Sequence, residues 1–520
     1  MTKTSRRTVL KTLPIALLAG RPATAQMLGK YNVGPTKAVR NKAPNGIVAL
    51  WPGPQLFVDD YLVVKQEGLA RTTHHPRRLP HPVLTSKEFA TGQAYLTVIR
   101  DAELGVFRMW YNAWVEPKKK KTKPDAYLAY AESKDGIEWQ ASRFPFVGES
   151  SLAGKNNLLM RLNGYGGSVI DEGPAFTDKP RRFKLGYYQD LDKKHGLSIA
   201  FSSDGLRWTP FEGNPVISGE YDEDHELFTR SVCDEVEIFW DPLRKRYASF
   251  VKTKLVPEDG FLPSPKISVG VRRVGSFSVS RDFLHWEVPW RAVLPEPDEG
   301  LLDFVVTGAT VCRGGLLIGC ARPIHTEFSA DPGGPAEGVG FVTLVTSRDG
   351  ESWERHRDVF LNRNLDPTAW DHAIVWMGSQ LNVGDETYFY YGGYRWGWHV
   401  DPRTERQIGM ARLRRDGYVS RDAFGPDPGW LMTPLIKPEK FAGVTVNAEA
   451  SRGEVRVQVR DQRMQIVPGF GFADCTPLRG DGLQQQVRWS GGADPRKLAA
   501  VPCHLEFRVA DARLYGFEFA

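Results

Sequence analysis

The chain has 520 residues, 41% hydrophobic and 25% charged, with a formal net charge of +6. So small a charge argues against a nucleic-acid partner, and the one dense basic run, the lysines at 118–121 with Lys123, reads as a solvated hairpin loop. Five scattered cysteines, Cys233, Cys312, Cys320, Cys475 and Cys503, show no C-x-x-C spacing, which argues against a zinc site or a disulfide framework and leaves only a Cys475–Cys503 bridge open.

The N-terminus reads Ser5-Arg6-Arg7-Thr8-Val9-Leu10-Lys11, then a short apolar run at 13–19 and Ala23-Thr24-Ala25 before Gln26. This is the pattern of a twin-arginine export signal over residues 1–25. The apolar run is too short to cross a bilayer, so delivery to the periplasm or outside is expected, without a membrane span. Residues 26–54 form an N-terminal extension, and Gln55-Leu-Phe-Val-Asp-Asp-Tyr-Leu-Val63 either closes a ring or crosses its face.

From residue 55 to 422 one phrase repeats: Ser133-Lys-Asp135-Gly-Ile-Glu-Trp139, Ser202-Ser-Asp204-Gly-Leu-Arg-Trp208, Ser280-Arg-Asp282-Phe-Leu-His-Trp286 and Ser347-Arg-Asp349-Gly-Glu-Ser-Trp353, with a worn copy at Arg415-Asp416-Gly417-Tyr418. The aspartates stand 69, 78, 67 and 67 residues apart, the length of a four-stranded propeller blade. Ser, Asp and Gly suit a tight turn and the Trp suits the space between sheets, so these aspartates read as turn residues. The expected fold is all-β, a five-bladed β-propeller followed by a β-sandwich. Innermost strands are expected at 93–100, 167–172, 231–240, 303–311 and 370–377, a proline-rich linker at 423–438, and the sandwich at 439–520, where period-two alternation begins.

Glycoside hydrolysis needs two carboxyls flanking a sugar, and the mouth of a propeller channel is where they belong. The candidate catalytic acids are Glu88, Asp171, Asp234, Glu235 and Asp371, with Glu172 and Glu237 beside them. Asp60, Asp303, Trp370, Arg395 and His399 are candidates for substrate binding, in an aromatic neighbourhood that includes Trp376, Tyr394, Trp396 and Trp398. For Asp59-Asp60 a blade-joining role competes with a substrate role. No nucleophile elbow, P-loop, dinucleotide fingerprint or H-E-x-x-H motif occurs. No cofactor or metal is expected: His74-His75 has no third ligand at useful spacing, and Asp222-Glu-Asp-His-Glu226 lacks the spacing of a calcium loop, so a structural calcium ion is unsupported.

The repeated phrase followed by a β-sandwich resembles the invertase and fructan-hydrolase type of glycoside hydrolase, while Leu56-Phe-Val-Asp-Asp-Tyr-Leu62, His81-Pro-Val-Leu84, Arg108-Met-Trp-Tyr111, Phe239-Trp-Asp-Pro242, Arg414-Arg-Asp-Gly-Tyr-Val-Ser420 and the Asp474-Cys-x-Pro-Leu-x-Gly-Asp481 spacing resemble exported bacterial five-bladed proteins of that kind. Its propeller is similar to those of arabinanases and β-xylosidases, and the whole is closest to an exported bacterial branch of such proteins. The resemblance implies a carbohydrate substrate, with Glu88, Asp171 and Asp234 or Glu235 at the places of the family's blade-one to blade-three acids. The family's Asn-Asp-Pro, Arg-Asp-Pro and Glu-Cys flanks are absent here. An exported hydrolase of a glycan or oligosaccharide is the expectation, a non-catalytic carbohydrate-binding propeller the alternative, and a purely structural propeller a third.

Overall fold

The computed structural model describes residues 33–39, 46–85, 91–115, 125–141, 144–145, 157–191, 194–219, 232–255, 272–303, 305–334, 337–397, 406–438, 441–490 and 493–519. Glu88, His399, the twin-arginine segment and the acidic run at 222–226 lie outside the described residues. Within them the chain is nearly all β, with short 3-10 turns at Lys179–Arg181 and Pro495–Leu498.

The arrangement is propeller-like. Four meanders are self-contained sheets whose innermost strands are Thr91–Asp101, Gly164–Asp171, Cys233–Asp241 and Thr307–Arg313. A fifth meander starts at Ile374–Val383 and continues through Glu386–Tyr394 and Gln407–Arg414 inside a seven-stranded sheet. Its outer strand is Arg77–Arg78, from the N-terminal side of the chain. Middle strands such as Leu316–Ala321 and Arg272–Ser280 are buried at every position, as the apolar and small-residue runs at 316–321 and 274–280 require when a sheet is covered on both faces.

Each of the five innermost strands carries one register shift, at Gln93/Leu96, Gly166/Ser168, Cys233/Val236, Gly308/Val311 and Met377/Ser379. A bulge turns a side chain out of the ladder, and beside these bulges polar groups reach the neighbouring innermost strand. Thr97 Oγ1 accepts from the Val169 N–H at 3.0 Å, and Ser168 Oγ accepts from the Ile238 N–H at 2.9 Å. Glu237 accepts from the Thr310 N–H at 2.8 Å, Gln380 donates to the Ala309 carbonyl, and Ser379 Oγ accepts from the Val98 N–H at 3.1 Å. These contacts form a closed belt of side-chain hydrogen bonds around the axis.

The repeated phrase closes turns at the sheet ends. Asp135 Oδ1 accepts from the Ile137 and Glu138 N–H groups at 2.8 and 2.9 Å, Ser133 Oγ accepts from the Gly136 N–H, and the Trp139 indole donates to the Gly136 carbonyl. Asp204, Asp282 and Asp349 repeat this. The fourth phrase residue is left-handed in all four copies, and where glycine is replaced Phe283 adopts φ 70°. That strain, about 1 kcal/mol, is offset by burying the ring completely against Phe201, Tyr247 and Trp286. The phrase also joins sheets: Trp110 Nε1 donates to the Gly205 carbonyl at 2.6 Å, Arg246 to Gly350 at 2.8 Å and Tyr390 to Gly136 at 2.7 Å.

The C-terminal strands Val444–Asp461, Leu478–Gln486, Cys503–Ala510 and Ala512–Phe519 lie in one eleven-stranded sheet, which recruits Val48–Ala49, Gln55–Leu56, Lys65–Glu67 and Ala70–Thr73 from the N-terminal side. The stretch expected as a linker contains two of its strands, Gly429–Met432 and Ile436–Lys437. Its prolines, Pro426, Pro428, Pro434 and Pro438, fall before, between and after these strands and not in the ladder, where a missing N–H would cost a hydrogen bond. Phe57 and Leu62 share the core of this sheet with Phe441, Phe507 and Phe517. Cys475 and Cys503 are both free thiols, so the bridge left open by the sequence is not formed.

Candidate active site

The Cys233–Asp241 strand brings Asp234, Glu235 and Glu237 to the axis, and the bulge at Cys233/Val236 aims the first two. Glu235 is 1% exposed and accepts from Arg322 Nη1, with the Trp376 indole donating toward it. Burial pushes its carboxyl up to about 7 against the opposing pull of Arg322. Glu237, partly exposed, accepts from the Thr310 N–H and hydroxyl at 2.8 and 3.1 Å, and burial pushes it up to about 7 as well. Asp234 is the most open of the three, with a third of its side chain exposed, and is ion-paired to Lys252.

Around these acids stands an aromatic ring. Tyr95 packs edge-on against Trp376 at 6.0 Å and against Tyr165 at 6.5 Å, and Trp376 meets Tyr394 at 6.2 Å. The Arg406 guanidinium lies 4.6 Å over Tyr394, and Arg322 lies 5.8 Å over Trp376. Tyr95, Trp376 and Tyr394 are buried, so they pack the axis itself. On the strand-start side of this cluster Asp234 and Tyr165 keep some exposure.

The other candidate acids are not brought to it. Asp171 ends its strand, three residues beyond the belt residue Ser168, whereas Glu235 stands three residues before Ile238, the belt partner of Ser168. That offset is about 20 Å along the strand direction. Asp171 is held there by two hydrogen bonds from Arg182, at 2.8 and 3.0 Å, and its neighbour Glu172 pairs with Lys184 at 2.7 Å. Asp303 precedes its innermost strand and is fully buried, accepting from the Arg273 backbone and guanidinium at 2.6 to 3.0 Å. Asp371 also precedes its strand, fully buried, 3.0 Å from both Arg78 Nε and the Tyr391 hydroxyl. Asp303 and Asp371 are locks between segments, because a buried charge is stable only with its partner.

The expected binding residues divide in the same way. Trp370 stacks on Tyr391 at 5.6 Å, and a Cβ on Gly393 or Gly409 would stand 2.2 or 2.5 Å from its ring, so it is a packing residue. Asp60 pairs with Arg421 at 2.7 Å while Asp59 pairs with Arg348 at 2.9 and 2.7 Å, the segment-joining role. Arg395 stacks on Trp396 at 3.9 Å and pairs with Asp331 at 2.9 Å, and Asp331 also meets His372 at 3.2 Å. Asp331, Arg395 and Trp396 retain partial exposure, while His372 is buried.

Arg322, Tyr95 and the role of Glu237 were missed from sequence. Arg322 sits directly after the apolar run Leu316–Ala321, and a charge that ends a fully buried strand was the available signal. Among the described residues no group of three or more His, Cys, Asp or Glu side chains is arranged to hold a metal ion. His74 instead meets Ser420 Oγ at 2.7 Å and His75 the Phe360 carbonyl at 3.2 Å. Among the described residues no helix is long and apolar enough to cross a membrane.

No family model matches the chain, and no curated protein matches it. Solved structures that it resembles include a glycoside hydrolase (14% identity, 65% of this chain and 92% of that one, TM-score 0.41). Others are a β-fructofuranosidase from Bombyx mori (12%, 86% and 93%, 0.38) and a fructofuranosidase from Schwanniomyces occidentalis (9%, 84% and 96%, 0.41). At these identities and scores no activity transfers to this chain.

Proposed function

We propose that this protein is an exported glycoside hydrolase that cleaves a glycan or oligosaccharide at the mouth of a five-bladed propeller, with Glu235 as proton donor. The observation that carries this reading is the burial of Glu235 beside Arg322 at the axis, with a carboxyl that holds its proton up to about 7. A general acid needs that property at neutral pH, where an exposed glutamate is ionised. Asp234, ion-paired to Lys252 and open to solvent, is the second acid within the described residues, and Glu88 is the candidate from the first blade. The five bulged innermost strands and their hydrogen-bond belt support the count of five blades. The twin-arginine pattern supports export, and the alternating C-terminal strands support a sandwich-like second domain.

The test is a screen of the purified protein on mixed polysaccharides and oligosaccharides, with Glu235→Gln and Asp234→Asn as controls. Hydrolysis lost by about 10²-fold or more in Glu235→Gln supports the assignment. Hydrolysis unaffected by either substitution refutes it. A second reading, a carbohydrate-binding propeller without catalysis, draws on the locking of Asp171, Asp303 and Asp371 in ion pairs, which leaves few acids for chemistry. Calorimetric binding of an oligosaccharide with no turnover selects it.

A further inference from the structure

Glu235 lies in the bulge of the Cys233–Asp241 strand and Glu237 just beyond it, and both reach the Thr307–Arg313 strand: Glu235 accepts from Arg322, whose guanidinium lies against Gly308, and Glu237 accepts from the Thr310 N–H. Arg322 serves both. Its Nη1 donates to Glu235 Oε1, and after burial its charge is the largest influence on each carboxyl. The guanidinium is 4% exposed and tightly housed: a Cβ on Gly308 would stand 1.5 Å from Nη2. Next to Gly308, Ala309 has φ 57°, the one non-glycine residue of the five innermost strands in the left-handed region among the described residues. At this bulge Arg322 reaches one glutamate while Thr310 reaches the other.

Two carboxylates beside one guanidinium leave a net negative charge, whereas a single retained proton makes the group neutral. Arginine does not give up its proton, and burial favours the neutral arrangement. We propose that Arg322 is a positioning residue that binds Glu235 and Glu237 into one proton-sharing unit, which holds a single proton between the two carboxyls at neutral pH. The groups facing this unit are Tyr95, Tyr394, Trp376, Cys320 and the Asp234–Lys252 pair, and burial pushes the Tyr95 phenol and the Cys320 thiol upward.

The use of this proton in catalysis rests on the hydrolase reading. As the glycosidic C–O bond breaks, the leaving oxygen takes the proton from Glu235, which becomes a carboxylate paired with Arg322. Water then supplies its hydroxyl to the sugar carbon and returns its remaining proton to the unit.

The unit is tested without a substrate by pH-difference infrared spectroscopy of the full chain, reading the band of the protonated buried carboxyl. In the unsubstituted protein the band is expected to disappear with a midpoint near 7. Glu235→Gln and Glu237→Gln each leave one carboxylate beside one guanidinium, and the midpoint of the remaining glutamate should fall by about one pH unit or more. Arg322→Met should raise the midpoint by a similar amount, with Arg322→Lys restoring it; the lysine variant, which keeps the charge, carries the test if the methionine variant does not fold. Glu237→Gln with the Glu235 band at its original midpoint overturns the proposal, as does an Arg322→Met midpoint that does not move. Because this readout needs no sugar, shifted bands without hydrolysis refute the hydrolase reading alone, and hydrolysis with unshifted bands refutes this proposal alone.

Discussion

Arg78 Nε lies 3.0 Å from Asp371 Oδ2, and this ion pair ties the N-terminal strand Arg77–Arg78 to the start of the last meander. A residue far along the chain is thereby fixed to one near its beginning, closing the ring of sheets. Asp371→Asn should lower stability by about 2 to 4 kcal/mol, since it leaves Arg78 without its charge partner. Denaturant melts check this. Unchanged stability with lost turnover would instead make Asp371 catalytic.

The Asp phrase should behave as scaffold. Asp204 Oδ1 accepts from the Leu206 and Arg207 N–H groups, both at 2.8 Å, and Asp204→Ala removes both acceptors. A loss of about 1 to 2 kcal/mol is expected, with sugar binding per folded molecule unchanged. Thermal melts and calorimetry measure the two effects separately.

Gly308 should tolerate no side chain. The Cβ of alanine there would overlap Arg322 Nη2, so Gly308→Ala must displace the guanidinium from Glu235. The expected result is a folded but destabilised protein whose Glu235 holds its proton more tightly, read as an upward shift of the infrared midpoint. Full stability and an unmoved midpoint would contradict the housing described for Arg322.

Stability should respond to pH in two opposing directions. Glu235 and Glu237 are raised from 4.5 to about 7, so their contribution is complete below about 4.5 and is lost as pH rises through 7. His195, buried near Lys254, is lowered from 6.5 to about 4, so its contribution is present above about 6.5 and is lost as pH falls through 4. Urea melts between about pH 4 and 8 should show Glu235→Gln flattening the decline toward high pH and His195→Gln flattening the decline toward low pH. The same slope in all three proteins would contradict both assignments.

The repeating aspartates and the turn chemistry are local signals, and they placed most of the innermost strands. Thr91–Asp101, Gly164–Asp171 and Cys233–Asp241 fall close to their expected positions, because bulges and turns are written in neighbouring residues. The fourth and fifth innermost strands start at Thr307 and Ile374, later than expected, and so Asp303 and Asp371 lie ahead of them. An acid at a strand start looks the same in sequence whether it faces a channel or a buried arginine.

What the sequence determined by itself was the all-β character, the repeat length and the candidacy of Asp234, Glu235 and Glu237, since turn phrases and strand runs are local and the repeat length is only the spacing of those phrases. Tertiary structure alone decided which acids meet a cation. Arg182, Arg273 and Arg78 hold Asp171, Asp303 and Asp371 in ion pairs, and Arg322 pairs with Glu235. The physical reason is that a buried charge takes its meaning from its partner, and Arg78 reaches Asp371, and Arg322 reaches Glu235, only once the sheets have closed.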